Sequence, residues 1–200
     1  MSYQVNEVFY SLQGEGARAG TANVFVRFSG CNLRCARETH GFDCDTEFTS
    51  GRRLGAAELI DEIRRAGGAC RNVILTGGEP LLQVDPALVA ALREMGFWLA
   101  IETNGTREVP EGISWVSLSP KVAEHAIQAQ RADEIRYVRA AGQGIPRPPQ
   151  KLAEGARLFV SPAFDGDQPD KAAFAWCVQL VKDNPEWALS VQQHKAWGVR

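Results

Sequence analysis

Three of the five cysteines fall between positions 31 and 44, in Gly30-Cys31-Asn32-Leu33-Arg34-Cys35 and then, after eight further residues, Cys44-Asp45-Thr46. They follow a short apolar, β-branched run at 24–28, so the sulfurs sit on a loop leaving the end of a buried strand. The total is odd, the cluster is local, and residues 1–4 lead into strand-like sequence without a secretion-type charge and apolar block. A disulfide framework is therefore disfavoured, and reduced thiolates are free to hold a soft metal or an iron–sulfur cluster. A four-iron cube needs four ligands, so three cysteines leave one iron open to a small molecule. The alternative is a zinc site, with His40 in the loop between Cys35 and Cys44 as a further ligand. Cys70 and Cys177 read as packed thiols, the latter inside the apolar run at 173–178.

The rest of the chain alternates short β-branched runs with stretches of helical spacing, the pattern of an α/β domain. Strands are predicted at 5–11, 24–28, 73–75, 98–101, 115–118, 134–138, 157–161 and 189–192. Helices are predicted at 57–66, with Leu59, Ile60 and Ile63 on one face, from Asp85-Pro86 to about Met95, and at 171–182, ended by Asn184-Pro185. Polar groups gather after the strands, which predicts a mostly parallel sheet forming an incomplete, TIM-like barrel. The 200 residues fit a single domain over 1–200. With 22 basic against 24 acidic residues there is no basic block for a nucleic-acid backbone, and no apolar run is long enough for a membrane helix. A cytoplasmic protein is expected, without nucleic acid or membrane as partner.

Thr76-Gly77-Gly78-Glu79-Pro80 follows the buried run at 73–75, where paired glycines allow close backbone approach. Together with the cysteines it resembles the radical S-adenosylmethionine superfamily, whose three cysteines are separated by three and then two residues. The second gap here is eight, and Cys44, followed by Asp45-Thr46, completes the set in preference to Cys70. Within that superfamily, Ser11-Leu12-Gln13-Gly14-Glu15-Gly16, Arg27, Cys44-Asp45-Thr46 and Gln193-His194-Lys195-Ala196-Trp197-Gly198-Val199-Arg200 are similar to the 7-carboxy-7-deazaguanine synthases. The resemblance covers most of the chain and is weakest at 122–157.

The resemblance implies a radical S-adenosylmethionine core binding a 4Fe-4S cluster through Cys31, Cys35 and Cys44, S-adenosylmethionine, and magnesium at Thr46. It implies conversion of 6-carboxy-tetrahydropterin to 7-carboxy-7-deazaguanine with loss of ammonia, a carbon–nitrogen lyase reaction feeding queuosine and other 7-deazapurines. A reduced cluster cleaves the sulfonium, a 5′-deoxyadenosyl radical takes a hydrogen from the pterin, the ring contracts, and the cofactor is regenerated. Substrate contacts are implied at Leu12, Gln13, Gly14, Arg27, Thr76, Glu102, His194 and a carboxylate on Arg200, with Glu102 and Arg27 as the catalytic groups. Arg27 suits the substrate carboxylate, and an acceptor-only carboxylate suits the pterin N–H edge. Cofactor contacts are implied at Asp45, Gly78, Glu79, Ser119, Pro120, Lys121, Ser161 and Phe164, although Ser161-Pro162-Ala163-Phe164 departs from the commoner glutamine-containing loop. An electron donor such as flavodoxin or ferredoxin and a homodimer are implied as well. A glycyl-radical activator, which docks a protein loop, and a non-catalytic metal or electron-transfer module are the competing classes.

Overall fold

The computed structural model describes residues 1–44 and 46–200. In chain order the strands are β1 (Ser2–Leu12), β2 (Ala22–Phe28), β3 (Arg52–Gly55), β4 (Asn72–Gly77), β5 (Trp98–Thr103), β6 (Trp115–Leu118), β7 (Glu134–Arg139), β8 (Arg157–Pro162), β9 (Phe164–Asp165), β10 (Gln168–Pro169) and β11 (Trp187–Leu189). The helices are α1 (Arg37–His40), α2 (Ala56–Gly67), α3 (Pro86–Glu94), α4 (Gln150–Ala153), α5 (Lys171–Asp183) and α6 (Gln193–Trp197). The described strands form a nine-stranded sheet in the order β11-β8-β7-β6-β5-β4-β2-β1-β3, with β9 and β10 as a separate hairpin. From β2 to β11 every pairing is parallel, and β1 runs antiparallel to both β2 and β3. The sheet has two edges, as an incomplete barrel requires.

Strand periodicity divides the sheet into two chemically distinct faces. Val24, Val26 and Phe28 of β2, Val73 and Leu75 of β4, and Leu99 and Ile101 of β5 join the main core, packed with Leu59 and Ile63 of α2 and Leu88 and Leu92 of α3. The alternate positions Phe25, Ile74 and Ala100 form a small apolar floor on the other face. Two residues further on, the same face turns polar with Arg27, Thr76 and Glu102, because that is where each strand leaves the floor.

Local chemistry sets the helix starts. The Glu58 carboxylate accepts the Gly55 N–H (2.7 Å) ahead of α2. Asp85 accepts the Leu88 N–H (2.8 Å) ahead of α3, and Asp170 accepts the Ala173 N–H (2.8 Å) ahead of α5.

The last strand departs from the sequence expectation. β11 is Trp187–Leu189, not 189–192, because buried Trp187 packs near Tyr137 and the chain then turns away at Ser190. Residues 190–192 and α6 cross instead toward the 13–16 turn: the Ser190 hydroxyl accepts the Gly16 N–H (2.9 Å), and the Gly14 carbonyl accepts the Gln193 N–H (2.9 Å).

Candidate active site

Strand register lays a polar row along the inner face. Glu7 of β1 pairs with Arg27 of β2, and Arg27 with Thr76 of β4; Glu102 of β5 pairs with Ser117 of β6, and Ser117 with Glu134 of β7. The Thr76 hydroxyl joins the two halves by donating to Glu102 Oε2 (3.0 Å). Above this row lie two connected hollows. One, of about 500 Å3, is lined by Leu12, Gln13, Gly14, Arg27, His194 and Arg200 among others. The other, of about 210 Å3, is lined by Cys31, Cys35 and Cys44 together with Gly77 and Gly78. Glu15, Thr46, Thr76, Glu102 and Gln192 line both.

Glu102 is the acceptor at this junction. Its Oε1 receives Gln13 Nε2 (2.8 Å) and Arg136 Nη2 (3.0 Å). Burial alone would push its carboxyl up; the charge of Arg136, the Gln13 and Thr76 hydrogen bonds and the more distant charge of Arg27 outweigh it and hold it below the usual range. Glu102 is thus an ionised acceptor near neutral pH rather than a proton store.

Arg27 gives its Nε to Glu7 Oε1 (2.9 Å), and the Arg200 guanidinium pairs with the other Glu7 oxygen while lying 5.0 Å from the Phe9 ring. The main-chain oxygen of Arg200 accepts the Ser11 hydroxyl (2.5 Å). His194 sits directly over Gly14, where a Cβ would fall 2.0 Å from Nδ1. Replacing Gly14 with alanine is therefore expected to swing His194 out of the hollow. The result should be several-fold weaker substrate binding, on the scale of about one lost hydrogen bond, with the thermal midpoint little changed. Titration of ligand binding to this hollow beside a melting curve checks this.

The smaller hollow fits an iron–sulfur cluster by the chemistry of its donors. Burial raises the Cys31 and Cys35 thiols, and charge on neighbouring sulfurs raises both further, so three thiolates here call for positive charge between them. Among the described residues no three His, Cys, Asp or Glu side chains converge on a single-ion site. His40 has Nδ1 2.7 Å from the Thr39 hydroxyl and Nε2 3.2 Å from the Lys121 carbonyl, so both ring nitrogens face protein oxygens. Cys70 lies just ahead of β4, at the opposite end of that strand from Gly77-Gly78, with its sulfur against the Ala22 and Asn72 carbonyls.

Of the residues expected along the cofactor, Gly78, Ser119, Lys121, Ser161 and Phe164 line this hollow. Lys121 Nζ donates to the Ser119 hydroxyl (2.5 Å) and carbonyl (3.1 Å). Asp45 lies outside the described residues. Glu79 and Pro120 are not among the lining residues. Glu79 is fully buried, and its carboxylate accepts the Leu81 N–H (3.0 Å), the Thr103 hydroxyl (2.7 Å) and the Asn104 N–H (2.7 Å), fastening the end of β5 to the turn after β4. Sequence reading missed Arg136, which lines the smaller hollow and is only 5% exposed. Its signal was the alternation Glu134-Ile135-Arg136-Tyr137, two charges on one face of a strand.

A mostly parallel open sheet carrying three thiols after its first parallel strand, opposite a Gly-Gly turn, is the arrangement that the radical S-adenosylmethionine resemblance implies. A family model described as "4Fe-4S single cluster domain" matches residues 12–106. The chain is 41% identical over 214 residues to the 7-carboxy-7-deazaguanine synthase of Bradyrhizobium diazoefficiens, covering 100% of both. It is 40% identical over 200 residues to that of Bacteroides thetaiotaomicron, again with 100% of both covered. The crystal structure of QueE from Escherichia coli superposes with a TM-score of 0.70 at 25% identity, covering 96% of this chain and 94% of that one. The chain belongs to the 7-carboxy-7-deazaguanine synthase family.

Proposed function

We propose that this chain converts 6-carboxy-5,6,7,8-tetrahydropterin to 7-carboxy-7-deazaguanine with loss of ammonia, acting as one domain over its 200 residues. The observation that carries this reading is the charge layout of the larger hollow. A cation, Arg27, and an ionised acceptor, Glu102, both line it, and Thr76 and Glu102 line both it and the hollow of the three cysteines. The substrate has the complementary layout, a carboxylate at one end and a guanidine-like N–H edge at the other.

Cys31, Cys35 and Cys44 would hold a 4Fe-4S cluster, and Gly78, Ser119, Lys121, Ser161 and Phe164 would lie along S-adenosylmethionine. When bound, these groups supply the one-electron chemistry that starts hydrogen abstraction. Arg27 has its Nε engaged by Glu7, and its Nη groups would pair with the substrate carboxylate. Oε1 of Glu102 already receives two donors and Oε2 one, so Oε2 keeps a lone pair for the pterin edge. Gln13 and Thr76 hold that carboxylate in place, and Phe9 and Phe25 supply apolar walls.

A magnesium ion at Thr46, on the rim shared by both hollows, would complete its shell with substrate oxygens and water. Chelation is expected to lower product formation and added magnesium to restore it. Flavodoxin or ferredoxin is the proposed electron donor, and the protein is proposed to work in the cytoplasm as a homodimer. Among the described residues no helix is long and apolar enough to cross a membrane.

The direct experiment is an anaerobic incubation of reconstituted protein with dithionite, S-adenosylmethionine, magnesium and 6-carboxy-tetrahydropterin, read by mass spectrometry. 7-Carboxy-7-deazaguanine is the expected product. Cluster-loaded protein that cleaves the cofactor and leaves the pterin unchanged overturns the substrate assignment.

A further inference from the structure

The two hollows meet over a buried ion cluster centred on Arg136, to which the family resemblance gives no role. Arg136 of β7 gives one Nη to Glu15 and the other to Glu102 Oε1 at 3.0 Å, with Nε 3.3 Å from Glu134 Oε1. Its side chain is 6% exposed and that of Glu134 2%. Glu134 accepts the Ser117 hydroxyl (2.7 Å) on one oxygen and the Ala17 N–H (2.8 Å) on the other. The Glu15 N–H in turn reaches Gln13 Oε1 (3.0 Å), and Gln13 Nε2 reaches Glu102. The 13–17 turn and Glu102, which approach the larger hollow from opposite sides of the sheet's chain order, are thus fastened at one guanidinium.

A buried arginine among three carboxylates is a poor device for stability alone, since the desolvation of so many charges offsets most of their attraction. It is an effective device for fixing geometry, because the planar fork holds two acceptors at set angles. We infer that Arg136 is a positioning residue for the pterin, holding the Glu102 carboxylate and the 13–17 turn in the arrangement that receives the substrate's N–H edge. The inference rests on the pterin reading above.

The charge balance makes the role measurable. Glu102 is faced by Arg136 from β7, Arg27 from β2, Glu15 from the turn after β1 and Glu134 beside Arg136; Glu7, Glu47, His194, Lys195 and Arg200 line the larger hollow with it. Without Arg136, burial and the two neighbouring carboxylates dominate, and the Glu102 carboxyl rises. A group held low in the native protein keeps its ionised form well into acid. Raised, it loses that form as pH falls through a higher value, so pterin binding should fail at a pH where the unchanged protein still binds.

Equilibrium binding of 6-carboxypterin, followed by its fluorescence across the acid and neutral range, tests this without turnover. Arg136→Gln is expected to bind about tenfold more weakly at neutral pH, with its acid limb displaced upward by about a pH unit. Arg136→Lys should restore the pH profile but remain several-fold short in affinity, because a point charge cannot hold both acceptors. Glu15→Gln, which releases the turn, leaves the Arg136–Glu102 pair and removes one of the carboxylates facing Glu102, should weaken binding with no upward displacement of the acid limb. Arg136→Gln with an unmoved limb, or with unchanged affinity, overturns the inference and leaves Arg136 a structural tie. Should that variant not fold, Arg136→Lys decides: a several-fold loss supports the role and unchanged affinity overturns it. Unaltered protein that binds neither 6-carboxypterin nor 6-carboxy-tetrahydropterin is a third, distinct result that removes the substrate reading and this inference with it.

Discussion

Cys44→Ala is expected to abolish cluster assembly and lower product formation by more than about 100-fold, since outer-shell partners of metal ligands already cost about 10–100-fold and a ligand itself costs more. The sequence left two candidates for the third sulfur, and geometry separates them. Cys44 shares the smaller hollow with Cys31 and Cys35, and its charge acts on both of their thiols. Cys70 is packed at the far end of β4 with carbonyl partners from Ala22 and Asn72. Iron and sulfide analysis after anaerobic reconstitution should therefore give four irons' worth of visible absorbance for Cys70→Ala and little for Cys44→Ala. The reverse pattern would move the cluster to a place the described fold does not provide.

Gly78→Ala should give the second-largest effect. A Cβ at position 78 would lie 2.3 Å from the Gly30 carbonyl oxygen and 2.8 Å from Cys31 Cβ, so the strand-end turn and the cysteine loop would have to separate. The Gly78 N–H reaches the Phe28 carbonyl (3.3 Å) and the Glu79 N–H the Gly30 carbonyl (3.0 Å), which leaves the backbone little freedom to retreat. Overpacking of this kind costs about 2 kcal/mol, or about 4–8 °C in thermal midpoint at this chain length. Displacement of Cys31 should further weaken cofactor binding. Calorimetry together with S-adenosylmethionine titration of the reconstituted protein reads both. A variant with unchanged midpoint and affinity would show that the close approach is not needed.

The glycine pair also shows what a sequence conveys and what it does not. Its closeness to another group was legible; that the group includes the cysteine loop's own backbone was not, because only the β2–β4 pairing brings Phe28 beside Gly77. The parallel strands other than β11 were legible within a residue or two because strands buried on both faces read as continuous β-branched runs. β3 escaped notice because Arg52-Arg53 on an edge strand carries no burial signal, and the β9–β10 hairpin because it is two residues a side. Cys31, Cys35, Arg27 and Gln13 were found by their motifs, and the structure brings all four to the connected hollows. Arg136 was missed since nothing in Glu134-Ile135-Arg136-Tyr137 says which strand face looks into the cavity. Glu79 was assigned to the cofactor because its motif adjoins it; the three donors its buried carboxylate receives from Leu81, Thr103 and Asn104 were not legible, because they come from the turn after β4 and the end of β5.

Counting product per cofactor tests the central claim most directly. With S-adenosylmethionine limiting and 6-carboxy-tetrahydropterin in excess, under anaerobic reduction, the account predicts several molecules of 7-carboxy-7-deazaguanine for each cofactor supplied. The excess over cofactor follows from its regeneration in the proposed cycle, and ammonia should be released one for one with product, as the nitrogen the contracting ring loses. Accumulation of 5′-deoxyadenosine in step with cofactor consumption, with no deazaguanine formed, would contradict it.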